Sequence, residues 1–177
     1  LGDLDKAVSA YTKVLELIKD PEIKKRTVEK LTVVQGKLAM NEGDMDLAEI
    51  KFKEVATENP QNFIPHFYIG AINAAQNKFD DALRAYEQVI KLVPAHATAH
   101  YDLARIYEQL KSDEDALTEY HTALRLALPE NLKENAQQRI TALEKRINGF
   151  TYTVNYSTGY QSNFNLTKED PVEEFVH

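Results

Sequence analysis

Three stretches decide the fold: Ala48-Glu49-Ile50-Lys51-Phe52-Lys53-Glu54-Val55, Ala82-Leu83-Arg84-Ala85-Tyr86-Glu87-Gln88-Val89 and Ala116-Leu117-Thr118-Glu119-Tyr120-His121-Thr122-Ala123. Each sets an alanine, an aromatic ring four residues on, and a small apolar residue three beyond that; the copies stand 34 residues apart. Working outward, Gly36, Gly70 and Ala104 keep the same spacing, and Pro60 and Pro94 close two of the units. Several registers agreeing at one period of this length mark a repeat architecture, each unit one supersecondary element. The spacing of apolar positions by three and four within each unit marks those elements as helices.

The residue types explain themselves if two helices cross in each unit. Gly36, Gly70 and Ala104 on the first helix, with Ala48, Ala82 and Ala116 on the second, let the backbones approach. Phe52, Tyr86 and Tyr120 then fill the space towards the next unit. The connections read Gly43-Asp44-Met45-Asp46, Asn77-Lys78-Phe79-Asp80 and Lys111-Ser112-Asp113-Glu114. Gly or Asn suits the left-handed residue that ends a helix, and acids just after it favour the amino end of the next. The third unit departs from the pattern: Lys111 replaces Gly or Asn, Asp113 replaces an apolar residue, and Leu128-Pro129 displaces the closing proline.

This pattern resembles the tetratricopeptide repeat (TPR), with its small residue in the first helix, its alanine and aromatic in the second, and its closing proline. The resemblance implies an all-α solenoid of helix hairpins. It divides the chain into a half repeat over 1–21, repeats over about 22–61, 62–95 and 96–128, a capping helix over 130–148 and a tail over 149–177. The first fragment, Gly2 to Tyr11, matches Gly43 to Phe52 at a spacing of 41, which predicts a lengthened helix between Pro21 and Asn41. Because Leu1 stands inside a repeat, further repeats are expected before it in a parent protein.

In such arrays the first helices line a concave face that holds extended ligands. By register, that face takes Lys30, Val33 and Lys37, then Phe67, Ala71 and Ala74, then Thr98, Tyr101, Arg105 and Glu108. Apolar and aromatic at the centre with scattered cations, it suits a protein or peptide segment with one or two large side chains. The competing reading makes Phe67 and Tyr101 core residues between helices. Members of this family that bind the acidic carboxyl terminus of heat-shock chaperones use a clamp of Lys, Asn and Arg. The matching places here hold Val33, Lys37, Tyr68, Thr98 and Asp102, which argues against that clamp.

After Gly149 the period changes from helical to alternating. Phe150, Tyr152, Val154, Tyr156 and Tyr160 alternate with Thr151, Thr153, Asn155, Ser157, Gly159 and Gln161. This predicts one strand of about ten residues, the length of an outer-membrane barrel strand, with a polar loop over 162–174 and a returning strand from Phe175-Val176. Helical repeats running into such a segment resemble bacterial outer-membrane proteins with periplasmic repeats and a carboxyl-terminal barrel, as in exopolysaccharide exporters and surface-lipoprotein assembly factors. Gly159-Tyr160-Gln161-Ser162-Asn163 resembles the end of their first strand. On that reading the chain is a periplasmic interaction scaffold, attached to the membrane only through a barrel expected after His177. The alternative is a soluble cytosolic adaptor whose tail is a linker, a hairpin or a self-docking segment.

Composition narrows the rest. Apolar residues at 43% and charged ones at 28% are globular values. The net charge of −7 and the absence of a basic stripe argue against a nucleic-acid partner. No apolar run is long enough for a transmembrane helix, and the absence of cysteine excludes disulfides and thiolate metal sites. No phosphate loop or nucleophile motif appears. His96 and His100 have the spacing of two zinc ligands, but Thr98 stands where the acid belongs, and His66 occupies the place of His100 one unit earlier. A structural role for these histidines follows, with no cofactor, no metal and no enzyme expected.

Overall fold

The computed structural model describes residues 2–148, 151–155 and 161–165. Eight helices follow in order: α1 (Gly2–Leu17), α2 (Pro21–Glu42), α3 (Met45–Glu58), α4 (Phe63–Ala75), α5 (Phe79–Leu92), α6 (Ala97–Gln109), α7 (Asp113–Arg125) and α8 (Glu130–Asn148). They form a TPR-type α-solenoid. The hairpins α2–α3, α4–α5 and α6–α7 each pack against the next, α1 lies on α2, and α8 covers α7.

The helix ends follow from local chemistry. Pro21 begins α2, where a missing N–H costs nothing, and the Asp20 carboxylate accepts from the backbone N–H groups of Glu22 and Ile23 at 2.9 and 3.0 Å. As the offset first unit predicts, α2 is long, 22 residues against 13 in α4 and α6. Gly43 (φ 85°) and Asn77 (φ 59°) turn the chain left-handed after α2 and α4, and Lys111 (φ 63°) does the same after α6. Lys111 therefore keeps the turn geometry although its side chain disfavours it.

The core forms at the positions the repeat marks. Ala48, Phe52, Val55, Ala82, Tyr86, Val89, Ala116, Tyr120 and Ala123 are all buried. Phe52 stacks on Tyr68 of the next hairpin at a centroid distance of 4.8 Å. Ala136, Ile140 and Leu143 of α8 close the last unit over Tyr120 and Leu128.

The tail differs from the single long strand expected. Two five-residue strands, β1 (Thr151–Asn155) and β2 (Gln161–Asn165), pair antiparallel, with Tyr152 opposite Phe164. The return thus starts at Gln161, inside the stretch read as strand end and polar loop. Pairing satisfies backbone groups that a lone strand leaves open; Tyr156 and Tyr160, also read as part of that strand, lie outside the described residues. Phe175 and Val176 lie outside the described residues.

Candidate functional site: the inner cleft

The first helices of successive units meet directly, α4 against α6, and between them and α8 lies a cleft of about 570 Å³. Helix α4 contributes Ala71, Ala74 and Ala75, whose short side chains leave the space open. Helix α6 contributes Asp102, Arg105, Ile106, Glu108 and Gln109; Tyr86 reaches in from α5 and Arg139 from α8, with Asn77 and Phe79 at the edge.

The polar groups are layered. Asp102 is largely buried, and burial raises its carboxyl above the usual carboxylate range, although the neighbouring Arg105 and a hydrogen bond from the Tyr86 hydroxyl act the other way. The Tyr86 phenol is pushed well up by its own burial and by the nearby Asp102 charge. Glu108 accepts from the buried Tyr120 hydroxyl at 2.7 Å and faces Arg139 at 3.5 Å and Arg146 at 3.9 Å. In front of these acids stand the guanidiniums: Arg105 lies 3.4 Å from Asp102 and 6.0 Å from the centre of the Tyr101 ring.

Of the residues assigned to the groove from sequence, the cleft brings together Ala71, Ala74, Arg105 and Glu108. Lys30 is exposed and Thr98 half-buried, both outside its lining. Lys37 sits over the Tyr68 ring with its ammonium 4.9 Å from the centroid. Val33 at 8% and Tyr101 at 6% exposure belong to the core, and the Tyr101 hydroxyl donates to Asn135 of α8 at 2.8 Å. Phe67 is half-buried among Tyr68, Tyr86 and His96. For Phe67 and Tyr101 the geometry therefore favours packing over ligand contact. Glu108 lines the cleft but is 8% exposed and already engaged.

Tyr86, Asp102, Gln109 and Arg139 were missed as groove residues. One signal was available. Tyrosine at 86 and 120, where Phe52 stands in the first unit, puts a hydroxyl in a core position, and a buried hydroxyl requires an acceptor.

His96 and His100 are occupied. His96 caps α6, its Nδ1 accepting from the Ala99 N–H at 3.1 Å, and burial holds its pKa down. His100 places Nδ1 2.6 Å from Glu119 and Nε2 3.1 Å from the Pro94 carbonyl. His66 has a buried Nε2 with no hydrogen-bond partner, and Ala85 stands one period before Glu119, the partner of His100 Nδ1. Among the described residues no group of three or more His, Cys, Asp or Glu is placed to hold a metal ion, and no helix is long and apolar enough to cross a membrane.

Family profiles described as tetratricopeptide repeat match residues 72–129 and 1–21. No curated protein matches by sequence. Among solved structures, the chain is similar to MamA, at 21% identity and a TM-score of 0.64 over 82% of this chain and 79% of that one. It is similar to the first TPR of Spaghetti (RPAP3) bound to an HSP90 peptide, at 16% identity and a TM-score of 0.61 over 67% of this chain and 91% of that one. It is also similar to the O-GlcNAc transferase of Thermobaculum terrenum, at 20% identity and a TM-score of 0.59 over 66% of this chain and 22% of that one. At these identities the likeness is one of fold.

Proposed function

Starting from a chain that carries tetratricopeptide repeats, we propose that it is a non-enzymatic scaffold whose inner cleft holds an extended segment of a partner protein. The observation that carries this is the open cleft between α4, α6 and α8, where three alanines face long polar side chains. Solved TPR structures of this fold hold peptides, an HSP90 peptide in one case and an Hsp70 complex in another. Of the clamp positions here, Val33, Lys37, Tyr68, Thr98 and Asp102, only Lys37 supplies a donor of the kind that clamp uses, so the partner is not held by that clamp. A photo-crosslinking amino acid placed at Ala71 or Gln109 should capture a partner that the same residue at exposed Lys91 does not. Equal capture at both faces would refute the groove.

The finer placement we propose is periplasmic, beside an outer-membrane barrel that exports or assembles material. What supports it is the aromatic–polar alternation from Phe150 to Gln161 and the antiparallel pairing of β1 with β2. The cytosolic adaptor is the competing reading, although an isolated two-stranded hairpin is marginal in water. The source reading frame beyond His177 decides between them. Successive ten-residue alternating segments support the barrel; a stop codon or renewed helical periods leave the adaptor.

A further inference from the structure

The groove reading leaves open what chemistry the partner segment brings, and the cleft is specific on that point. We propose that Arg105 and Arg139 form an anion subsite that takes the side-chain carboxylate of an Asp or Glu internal to an extended partner segment. This rests on the groove reading above and narrows it.

The repeat itself shows that this cleft is not a generic feature of the fold. Ala71, Ala74 and Ala75 on α4 correspond, one period later, to Arg105, Glu108 and Gln109 on α6. The same three positions are small on one wall and long and polar on the other. The first leaves room for a backbone and side chain, and the second supplies the groups that meet them. Arg139 is added from outside the repeats, by α8.

The charges point the same way. The side chains of Arg105 and Arg139 are 59% and 49% exposed, whereas those of Asp102 and Glu108 behind them are 18% and 9% exposed. Each guanidinium is held from one side only and at long range, Arg105 through Nη1 at 3.4 Å and Arg139 through Nε at 3.5 Å. Charge-assisted bonds of this kind close at about 2.7–2.9 Å when fully formed, so both retain donors for a ligand. Glu108 also accepts the Tyr120 hydroxyl hydrogen bond at 2.7 Å, so part of its acceptor capacity is taken up away from Arg139. Towards α2 the inner face continues with Lys30 and Lys37, and by register Asp102 and Glu108 are its only acids among the three repeats. A chain of net charge −7 thus presents cations on this surface. A carboxylate bridging two planar guanidiniums is the ligand such a pair fits best.

The test uses the whole chain and a fluorescent, carboxyl-amidated decapeptide alternating Glu with Leu, beside its Gln-for-Glu counterpart and a free-acid form. The acidic amidated peptide should bind more tightly than the Gln peptide. Its affinity should fall about tenfold in Arg105→Gln and again in Arg139→Gln, fall with added salt, and stay unchanged in Arg125→Gln on α7. Arg105 is exposed, so Arg105→Gln should leave thermal unfolding unchanged and carries the test even if Arg139→Gln loosens α8. Equal binding of the Glu and Gln peptides, no binding of the acidic peptide, or parental affinity in Arg105→Gln overturns the subsite. Binding that requires the free terminal carboxylate also overturns it, in favour of a terminal clamp. The groove reading is judged separately, by crosslinking at Ala71 and Gln109. Capture there with no preference for acid removes the subsite and keeps the groove.

Discussion

Replacing Gly36 with alanine tests the close approach on which the repeat depends. A Cβ built at Gly36 falls 2.8 Å from Cζ and 2.9 Å from Cε1 of Phe52. The ring would have to tilt, and Tyr68, stacked nearly parallel against it at 4.8 Å, stands in the way. Alanine in mid-helix otherwise gains about 0.5–1 kcal/mol over glycine, while overpacking a full core costs about 1–3 kcal/mol. The difference predicts a net loss of up to about 2.5 kcal/mol. The third unit provides the control, because Ala104 already occupies this position opposite Tyr120. There Ala104→Gly should also destabilise, by about 1 kcal/mol or more, through lost helix propensity and a small void. Urea unfolding followed by helical circular dichroism measures both, and hydrogen exchange of α2 and α3 amides localises the first. A higher midpoint for Gly36→Ala would mean that Phe52 has room to yield, and that contact with the ring is not what keeps residue 36 a glycine.

The remaining predictions separate core from cleft. Tyr101→Ala should cost about 3–5 kcal/mol in thermal or urea unfolding, and Phe67→Ala somewhat less, whereas Arg105→Ala should stay within about 0.5 kcal/mol of the parent. Asp102 has its carboxyl raised by burial, so the native state favours the protonated form and stability should fall as pH rises through that raised value. Asp102→Asn should flatten this part of the stability profile, and an unchanged acid-range slope would show that Asp102 does not produce it. Lys111 adopts a left-handed conformation at φ 63°; Lys111→Gly should raise the urea midpoint by about 1 kcal/mol equivalent, and a lower midpoint would mean the lysine side chain contributes more than the strain costs.

The sequence carried the helices, their pairing and the left-handed turns at Gly43 and Asn77, because the 34-residue period repeats the same packing problem and the same residues solve it each time. It carried the inner face less well. Register assigns Val33, Phe67 and Tyr101 to one stripe, yet a helix packed between two neighbours buries part of any stripe, and how much depends on interhelical distance. Arg139 was out of reach altogether, since α8 is not a repeat and its approach to α6 has no counterpart in the period. The tail failed for another reason: alternation marks a strand but does not say where it stops pairing.

Two departures of the third unit from the repeat, at Asp113 and Leu128, share one cause, the attachment of α8. Asp113 stands where the other units place Met45 and Phe79, and its carboxylate lies 2.6 Å from Arg146 of α8. Glu108 meets Arg139 and Arg146, Tyr101 meets Asn135, and the displaced Leu128 is buried beneath the same helix. An array that continued would need the apolar residue at 113; an array that ends on a helix uses the acid to hold it. Asp113→Met, which restores the repeat's own residue, should therefore weaken the cap locally. The pair is partly exposed, so the loss should be about 0.5–1 kcal/mol. Hydrogen exchange should quicken about two- to fivefold for the amides of α8 near Arg146 and remain unchanged in α2 to α5. Unchanged exchange in α8 would show that the apolar stripe of Ala136, Ile140 and Leu143 holds the helix alone, and that the acid at 113 has no part in ending the array.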